Sequence, residues 1–403
     1  MFLDGQEKKD CCGCMACSQV CNLSAIAMKQ DENGFFYPEV DKSKCVDCGM
    51  CEKVCPMRED FVGQDANPET FAVRNKKEEV LNSSSSGGVV SMIGEWVLGQ
   101  NGVVYGAAYD DAFQVRHLRA QTLEEAERFR TSKYVESDVS GIYETLIQDL
   151  KDGRVVLLTG TPCQISGWKK YLEVKRVDTT NLYTCDNICH GVPSRKLWEE
   201  YLSILKEKYI ESDDHIVYVN MRSKKDSGKD KKLEVRLEKR DIESVVDGFS
   251  YNLIYQSMYG TRPSCFNCKY TSYKRPSDIT VGDFWNAEKA GIPFEISGGI
   301  SEVLINTDKG KALLHVIKEG ADMAPISKEN AWQLHLENPS KQPGKQDEFW
   351  QAFHESVDKE AVFRKYMKGS ILTRIIRAAT PILRKTGLYD LAGKAYKAVF
   401  VRK

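Results

Sequence analysis

Apolar residues along this chain recur with periods that change from segment to segment. Residues 25–40, AIAMKQDENGFFYPEV, alternate in two short runs around Asn-Gly, the pattern of a hairpin. The stretch 57–70, MREDFVGQDANPET, is polar and Pro-containing and reads as a linker. VVSMIGEWVLG (89–99) has helical spacing, and NGVVYGAAY (101–109) reads as a buried strand. RVVLLTG, the tight turn GTPC and QISGWKKYL then predict strand, turn and helix over 154–172. NLYTCDNICHGVPSRKLWEEYLSIL (181–205) repeats that order, with its turn at Cys189-His190-Gly191 and Pro193 near the helix start. HIVYVNMRSKK and KKLEVRLEKR form a second hairpin around DSGKD, and EVLINT (302–307) is another strand. Strands alternating with helices predict a layered α/β body.

Composition adds few constraints at first. The chain has 403 residues, 41% hydrophobic and 29% charged, enough for several domains with a sizeable core. The formal net charge of −1 hides an asymmetry. From Ala361 onward, eleven Lys/Arg stand against one acid, Asp390, leaving 46 basic and 57 acidic residues before it. The body is acidic and the tail basic. The tail, broken at Pro381 and Gly387, has helical periodicity suited to a partner or an anionic membrane surface. The start, MFLDGQEKKD, lacks a basic end followed by an apolar run, and no stretch is long and apolar enough to span a bilayer. A cytoplasmic setting is expected. In that setting the 14 cysteines point to metal or redox chemistry rather than to disulfides. No motif points to nucleic acid.

Five of those cysteines fall within CCGCMACSQVCN, residues 11–22. Skipping Cys12, Cys11, Cys14, Cys17 and Cys21 read C-x2-C-x2-C-x3-C, and the spacing returns as Cys45, Cys48, Cys51 and Cys55 before Pro56. This is the run that holds two [4Fe–4S] clusters in bacterial ferredoxins, where the fourth Cys of each run serves the other cluster. Cys11, Cys14, Cys17 and Cys55 are therefore assigned to one cluster, and Cys45, Cys48, Cys51 and Cys21 to the second. Asn22 stands where such runs usually have Pro, which donates no ligand. Cys12 has no slot in either set and is read as a small residue packed beside a cluster. Paired zinc knuckles would use C-x2-C pairs, which fit two triplet-plus-one runs poorly.

Five further cysteines, Cys163, Cys185, Cys189, Cys265 and Cys268, lie in the body. Four of them suffice for a third cluster; a zinc site built on Cys265 and Cys268, or a lone thiolate at the helix start at Cys163, are the competing readings. Adjacency in a turn argues against a Cys189–His190 nucleophile pair. SSSSGG (83–88), ahead of a helix, suits a phosphate or a flavin edge, though such a stretch is often a plain loop. Asp278 and Asp283 frame an apolar run, either capping turns or facing a cofactor.

SSSSGGVVS, TSKYVES, LLTGTPCQISG, ICHGVPS with Trp198 and Tyr201, RPSCFNCKY and RPSDITVGDFW occur in this order between Phe71 and Gly310. Together they resemble the beta subunit family of coenzyme F420 hydrogenase/dehydrogenases, here behind a fused ferredoxin module. The resemblance implies FAD and a third [4Fe–4S] cluster. By position, Ser85, Ser86, Gly87, Gly88, Ser132, Lys133 and Tyr134 would line the flavin, with Gly160, Thr161 and Pro162 near the ring or cluster. Lys133 is the expected positive charge beside the flavin. Cys163, Cys189, Cys265 and Cys268 would ligate the cluster, leaving Cys185 structural. Use of the deazaflavin coenzyme is not implied.

The expected fold class is α+β with α/β character, multidomain. A two-cluster ferredoxin-type domain (1–60) precedes the N-terminal (70–150) and C-terminal (151–345) parts of a flavin domain, then a basic helical tail (346–403). The expected function is an iron–sulfur flavoprotein oxidoreductase. It relays single electrons between the ferredoxin-type clusters and FAD, with a ferredoxin or partner oxidoreductase on one side and an unidentified small-molecule substrate on the other. The alternative is a non-catalytic electron-transfer subunit docked on a partner enzyme.

Overall fold

The structure is a computed structural model and describes residues 2–58, 67–224, 232–239, 241–242 and 249–367. The first module holds α1 (Ala16–Val20), the hairpin β1 (Ile26–Gln30) and β2 (Phe36–Val40), and α2 (Met50–Lys53). The hairpin turn closes because the Asp31 carboxylate accepts from the Asn33 and Phe35 amides at 3.1 and 3.0 Å. The cysteine duplication recurs in the backbone. Gly13 and Asp47, and likewise Met15 and Gly49, flank the second thiol of each triplet, and all four have φ between 51° and 73°. Left-handed turns on both sides of a cysteine gather successive thiols onto one point, a conformation that costs Met15 and Asp47 about 1 kcal/mol each.

The body then runs β3 (Glu69–Asn75), α3 (Glu78–Ser83), α4 (Val89–Gly99), β4 (Val103–Tyr109), β5 (Val115–Ala120), α5 (Leu123–Glu127), α6 (Tyr143–Lys151), β6 (Val156–Gly160), α7 (Pro162–Val174) and β7 (Leu182–Asn187). After α8 (Arg195–Lys208) come β8 (Ile216–Ser223), β9 (Lys232–Leu237), β10 (Asp241–Ile242), α9 (Tyr251–Ser257), β11 (Ile279–Asp283), α10 (Ala287–Ala290), β12 (Ser301–Ile305), α11 (Asp308–Ala312), α12 (Leu314–Gly320) and β13 (Ala321–Pro325). The last described elements are α13 (Gln346–Glu355) and α14 (Lys359–Met367).

Eight strands form one sheet in the order β13-β3-β12-β11-β7-β6-β4-β5. β4, β6, β7 and β11 are mutually parallel, with antiparallel strands on both flanks. The two parts of the expected flavin domain thus share a sheet, because β3 pairs with β12 and β13, more than two hundred positions later. A second sheet, β10-β9-β8, packs its apolar face with α8. Residues 346–367 differ from the expected free tail. Phe349, Trp350, Phe353, Val362 and Phe363 of α13 and α14 are buried in the core built by α8, β8 and β9, since they recur at helical spacing and have a face to fill. The basic residues 368–403 lie outside the described residues.

The module shares a core with the body. Met15, Ala16, Val20 and Val54 pack in one cluster with Val139, Tyr143, Leu158, Ile165 and Trp168. Arg262, fully buried, pairs with Glu136 and donates to the carbonyls of Cys11 at 2.7 Å and Phe36 at 2.8 Å. The Tyr143 hydroxyl donates to the Cys14 carbonyl, Tyr270 to that of Pro56 and Lys269 to that of Met57. Backbone groups left over by the cluster-binding loops are thereby satisfied by body side chains.

Candidate functional site

The first set of thiols lies beneath the body. Cys11, Cys14, Cys17 and Cys55 line one small hollow, together with Leu3, Gln6 and Pro56. Thiols of both repeat copies therefore meet there: Cys17 feels Cys11 and Cys55 electrostatically, and Cys14 feels Cys55 and Cys17. Side chains donate toward their sulfurs, with Arg262 Nη2 at 3.5 Å from Cys11 Sγ and Gln6 Nε2 at 3.8 Å from Cys55 Sγ. The second set faces outward. Cys45 and Cys48 flank Cys51, Cys48 is exposed, and Val46 beside it is 69% exposed. Backbone amides of Asp47 and Ala25 point at Cys45 Sγ and Cys21 Sγ, each at 3.4 Å.

In the body, Cys163, Cys189, Cys265 and Cys268 come within electrostatic reach of one another. They arrive from different elements. Cys163 sits in the first turn of α7, after Pro162, where the Thr161 amide donates to Gln164 Oε1 at 3.0 Å. Cys189 follows β7, and Cys265 and Cys268 lie on and after the 3-10 turn Pro263–Asn267. Thr161 Oγ1 is 3.3 Å from Cys163 Sγ, and the Gly191 amide is 3.4 Å from Cys189 Sγ. Cys185 is elsewhere, inside β7, with Asp186 and Asp278 as its charged neighbours.

Burial, reinforced by repulsion among the thiols, pushes Cys189 up to about 12 and Cys268 to about 11, and raises Cys265 well above the usual range. In Cys163 the contact with Cys12 is the leading cause of the rise, followed by burial. Such thiols ionise only beside a strong cation, so the donor set fits a metal centre. Among the described residues no three His, Cys, Asp or Glu groups close on a single ion.

The thiol set of the body borders a cavity of about 1430 Å³. It opens at the carboxyl ends of the parallel strands, lined there by Thr159, Gly160, Asn187 and Asp283, and Cys189 is part of its wall. Pockets for ordinary small ligands run to about 1,000 Å³, so this one accommodates a dinucleotide or two ligands. Ser85, Ser86, Gly88, Ser132, Lys133, Tyr134, Gly160 and Thr161 all line it. The serine loop and the TSKY segment are tied together, as Ser85 Oγ accepts from the Ser132 amide at 2.7 Å. Gly87, expected in the wall, faces the sheet instead. Its amide donates to Ser301 Oγ at 2.9 Å, and a Cβ there would collide with the Val73 carbonyl.

Comparison with known proteins follows the same division of the chain. Residues 10–58 match the 4Fe-4S dicluster domain, and residues 153–329 match the C terminus of the beta subunit of coenzyme F420 hydrogenase/dehydrogenase. The two matched segments are thus similar to a dicluster ferredoxin domain followed by the C-terminal part of a beta subunit. In fold it overlaps a chain of the xenon-derivatised F420-reducing [NiFe] hydrogenase complex from Methanosarcina barkeri, covering 75% of this chain and 93% of that one, at 18% identity and a TM-score of 0.44. No curated protein matches the chain. Among the described residues, no helix is long and apolar enough to cross a membrane.

Four cavity residues of the body escaped sequence reasoning: Arg222, Asn252, Tyr255 and Gln333. Arg222 pairs with Asp283 at 2.5 Å, and among the described residues its buried Nε has no hydrogen-bond partner. Tyr255 stacks on Tyr134 with ring centroids 4.0 Å apart, and it feels Cys189 and Cys265, so the pair stands between thiols and cavity. Lys133 is held down to about 7 by burial, and its ammonium donates to the carbonyls of Arg128, Arg130 and Thr131. All three of its donors are spent on backbone, so Lys133 shapes the wall rather than offering a hydrogen bond. Asp278 anchors β7 through Thr184, and Asp283 is committed to Arg222.

Proposed function

We propose that the chain is an iron–sulfur flavoprotein oxidoreductase that moves single electrons between its dicluster domain and a flavin in the body cavity, coupled to a small-molecule substrate. Cys45, Cys48, Cys51 and Cys21 would hold the outer cluster and Cys11, Cys14, Cys17 and Cys55 the inner one. Cys163, Cys189, Cys265 and Cys268 would hold a third, and the serine loop, the TSKY segment, Gly160 and Thr161 would hold FAD. On this reading residues 1–60 form the electron port, 70–345 the flavin domain and 346–403 its C-terminal extension. A bound flavin exchanges electron pairs with substrate, whereas clusters carry one electron each, so the protein joins two-electron to one-electron chemistry.

The observation that carries the reading is an unbroken succession of thiols from surface to cavity. Cys48 is exposed, Cys51 acts on Cys17, Cys12 touches both Cys14 and Cys163, and Cys163 acts on Cys189, which lines the cavity. The exposed outer set supplies a port for a redox partner protein. Within the cavity, Arg222 Nε and the Ser85–Ser132 pair supply polar contacts for the cofactor, while Met221, Leu253 and Phe129 exclude water. Anaerobic purification tests the proposal: about twelve irons, as three cubes, and one releasable flavin per chain are expected. About eight irons and no flavin would reduce the body to an inert appendage. Titrating the bound flavin anaerobically with candidate donors then identifies the substrate side.

A further inference from the structure

Arg275 opens the RPSDITVGDFW run and is not part of the cavity wall, yet it is among the largest fully buried side chains of the protein. A buried guanidinium is costly unless its N–H groups find acceptors. Here all of them do. Nε donates to Thr280 Oγ1 at 3.1 Å. Nη1 donates to the carbonyls of Tyr270 at 2.7 Å and Ser272 at 3.5 Å. Nη2 donates to Asp186 Oδ1 and to the Asn187 carbonyl, both at 2.9 Å. Tyr270 and Ser272 follow Cys268, and Asn187 precedes Cys189, so one side chain ties two thiol-bearing loops together. The same segment is joined to the helix of a third thiol. Lys169 of α7, the helix that begins at Pro162-Cys163, donates to the Pro276 carbonyl at 2.8 Å. Asp186 is buried as deeply as Arg275 and lines the cavity, so the ion pair connects the thiol loops to the cavity wall.

We propose that Arg275 is the positioning residue of the body cluster, holding the loops of Cys189 and Cys268 at a fixed separation and keeping beside them a permanent positive charge that Asp186 offsets. The inference rests on the three-cluster reading above. Cys189 and Cys268 come from segments far apart in the chain, and sulfurs from such segments meet only if something fixes their loops. A guanidinium suits the task because its planar fork aims five donors in set directions, whereas a Lys ammonium offers three from one point. Its charge is permanent. Reducing a cluster adds one negative charge, which a neighbouring cation stabilises and a neighbouring carboxylate opposes. Arg275 therefore raises the potential of the body cluster and Asp186 lowers it. No bond forms or breaks in this role, and no proton moves.

The test compares wild type, Asp186→Asn and Arg275→Lys in the anaerobically reconstituted full chain. Redox titration followed by EPR reads the midpoint potential of each cluster. Loss of visible absorbance to an added ferrous-iron chelator reads how firmly each is held. Asp186→Asn removes the offsetting charge, while its amide oxygen still accepts from Arg275. The potential of the body cluster should rise, those of the dicluster domain should stay, and iron should remain at about twelve per chain. Arg275→Lys keeps the charge and gives up the fork. The body cluster should then be lost to chelator severalfold faster than in wild type, with the other two lost at the wild-type rate and its potential shifted less than in Asp186→Asn. The paired variant Arg275→Met with Asp186→Asn leaves no buried charge unmatched and covers the case in which a single change unfolds the chain; it should lose the body cluster alone. An unchanged body-cluster potential in Asp186→Asn would overturn the proposal. So would loss of all clusters alike in Arg275→Lys or the paired variant, which would make Arg275 a general brace of the fold. Wild type with about eight irons would instead overturn the three-cluster reading itself, so the two failures are distinct.

Discussion

The two copies of the cysteine repeat share their spacing and their left-handed turns, yet they occupy opposite environments. The first lies under the body, with Met15, Val20 and the buried Arg262–Glu136 pair around it, whereas the second carries exposed Cys48 and Val46 at the surface. One local motif is thus given two roles by what surrounds it. Cluster potential depends on hydrogen bonds, net charge and exposure, so an inner site facing a guanidinium and an outer site facing water cannot be equivalent.

The strongest way to break this contrast is Arg262→Met. It leaves Glu136 buried and unpaired, and should cost about 3–5 kcal/mol in urea unfolding, with the inner cluster's potential falling toward that of the outer one. Unchanged stability would mean that the seam does not hold the module. A second change isolates the body from the module. Glu302, buried on β12 with Gln333 as its hydrogen-bond partner, is raised to about 8 by burial. The folded state therefore keeps a proton that the unfolded chain releases near its usual value, and stability falls as pH rises from about 4.5 to about 8. Glu302→Gln should remove that slope and stabilise the protein above pH 5, on the order of a few kcal/mol at pH 8, without moving any cluster potential. A slope that persists in the variant would assign it to other groups.

Smaller effects sharpen the picture. Ser85→Ala removes the acceptor for Ser132 and should cost about 1 kcal/mol, while lowering flavin retention on gel filtration. Val46→Ser at the exposed rim should change stability by less than about 0.5 kcal/mol. Its effect should appear only in the rate at which an external electron donor reduces the chain. A stability loss there as large as that of Arg262→Met would erase the distinction between the copies.

How much of this was legible beforehand depended on distance along the chain. The eight N-terminal cysteines, the hairpin at Asn33-Gly34 and the strand–turn–helix at Cys163 are local patterns, and the fold contains those elements. The cavity wall is different. Arg222 comes from β8, Asn252 and Tyr255 from α9 and Gln333 from a loop after β13, and no local spacing joins them. Gly87 was misplaced because a glycine in a polar loop reads as an opening, while here its missing side chain lets the loop lie against β3 and β12. The face of Phe349, Trp350 and Phe353 was visible as a period, but the basic run behind it suggested a free tail. Cys12 was the reverse case: conspicuous in the sequence, with its neighbour Cys163 revealed only by folding.

The shared core between module and body also constrains biogenesis. Once Met15, Val54, Trp168 and Tyr143 have come together, the inner hollow is roofed by α7 and braced by Arg262. A cluster held by Cys11, Cys14, Cys17 and Cys55 would thus be lodged against the body's own core, whereas one held by Cys45, Cys48 and Cys51 would sit at the surface, so the two would differ in how readily they are loaded or lost.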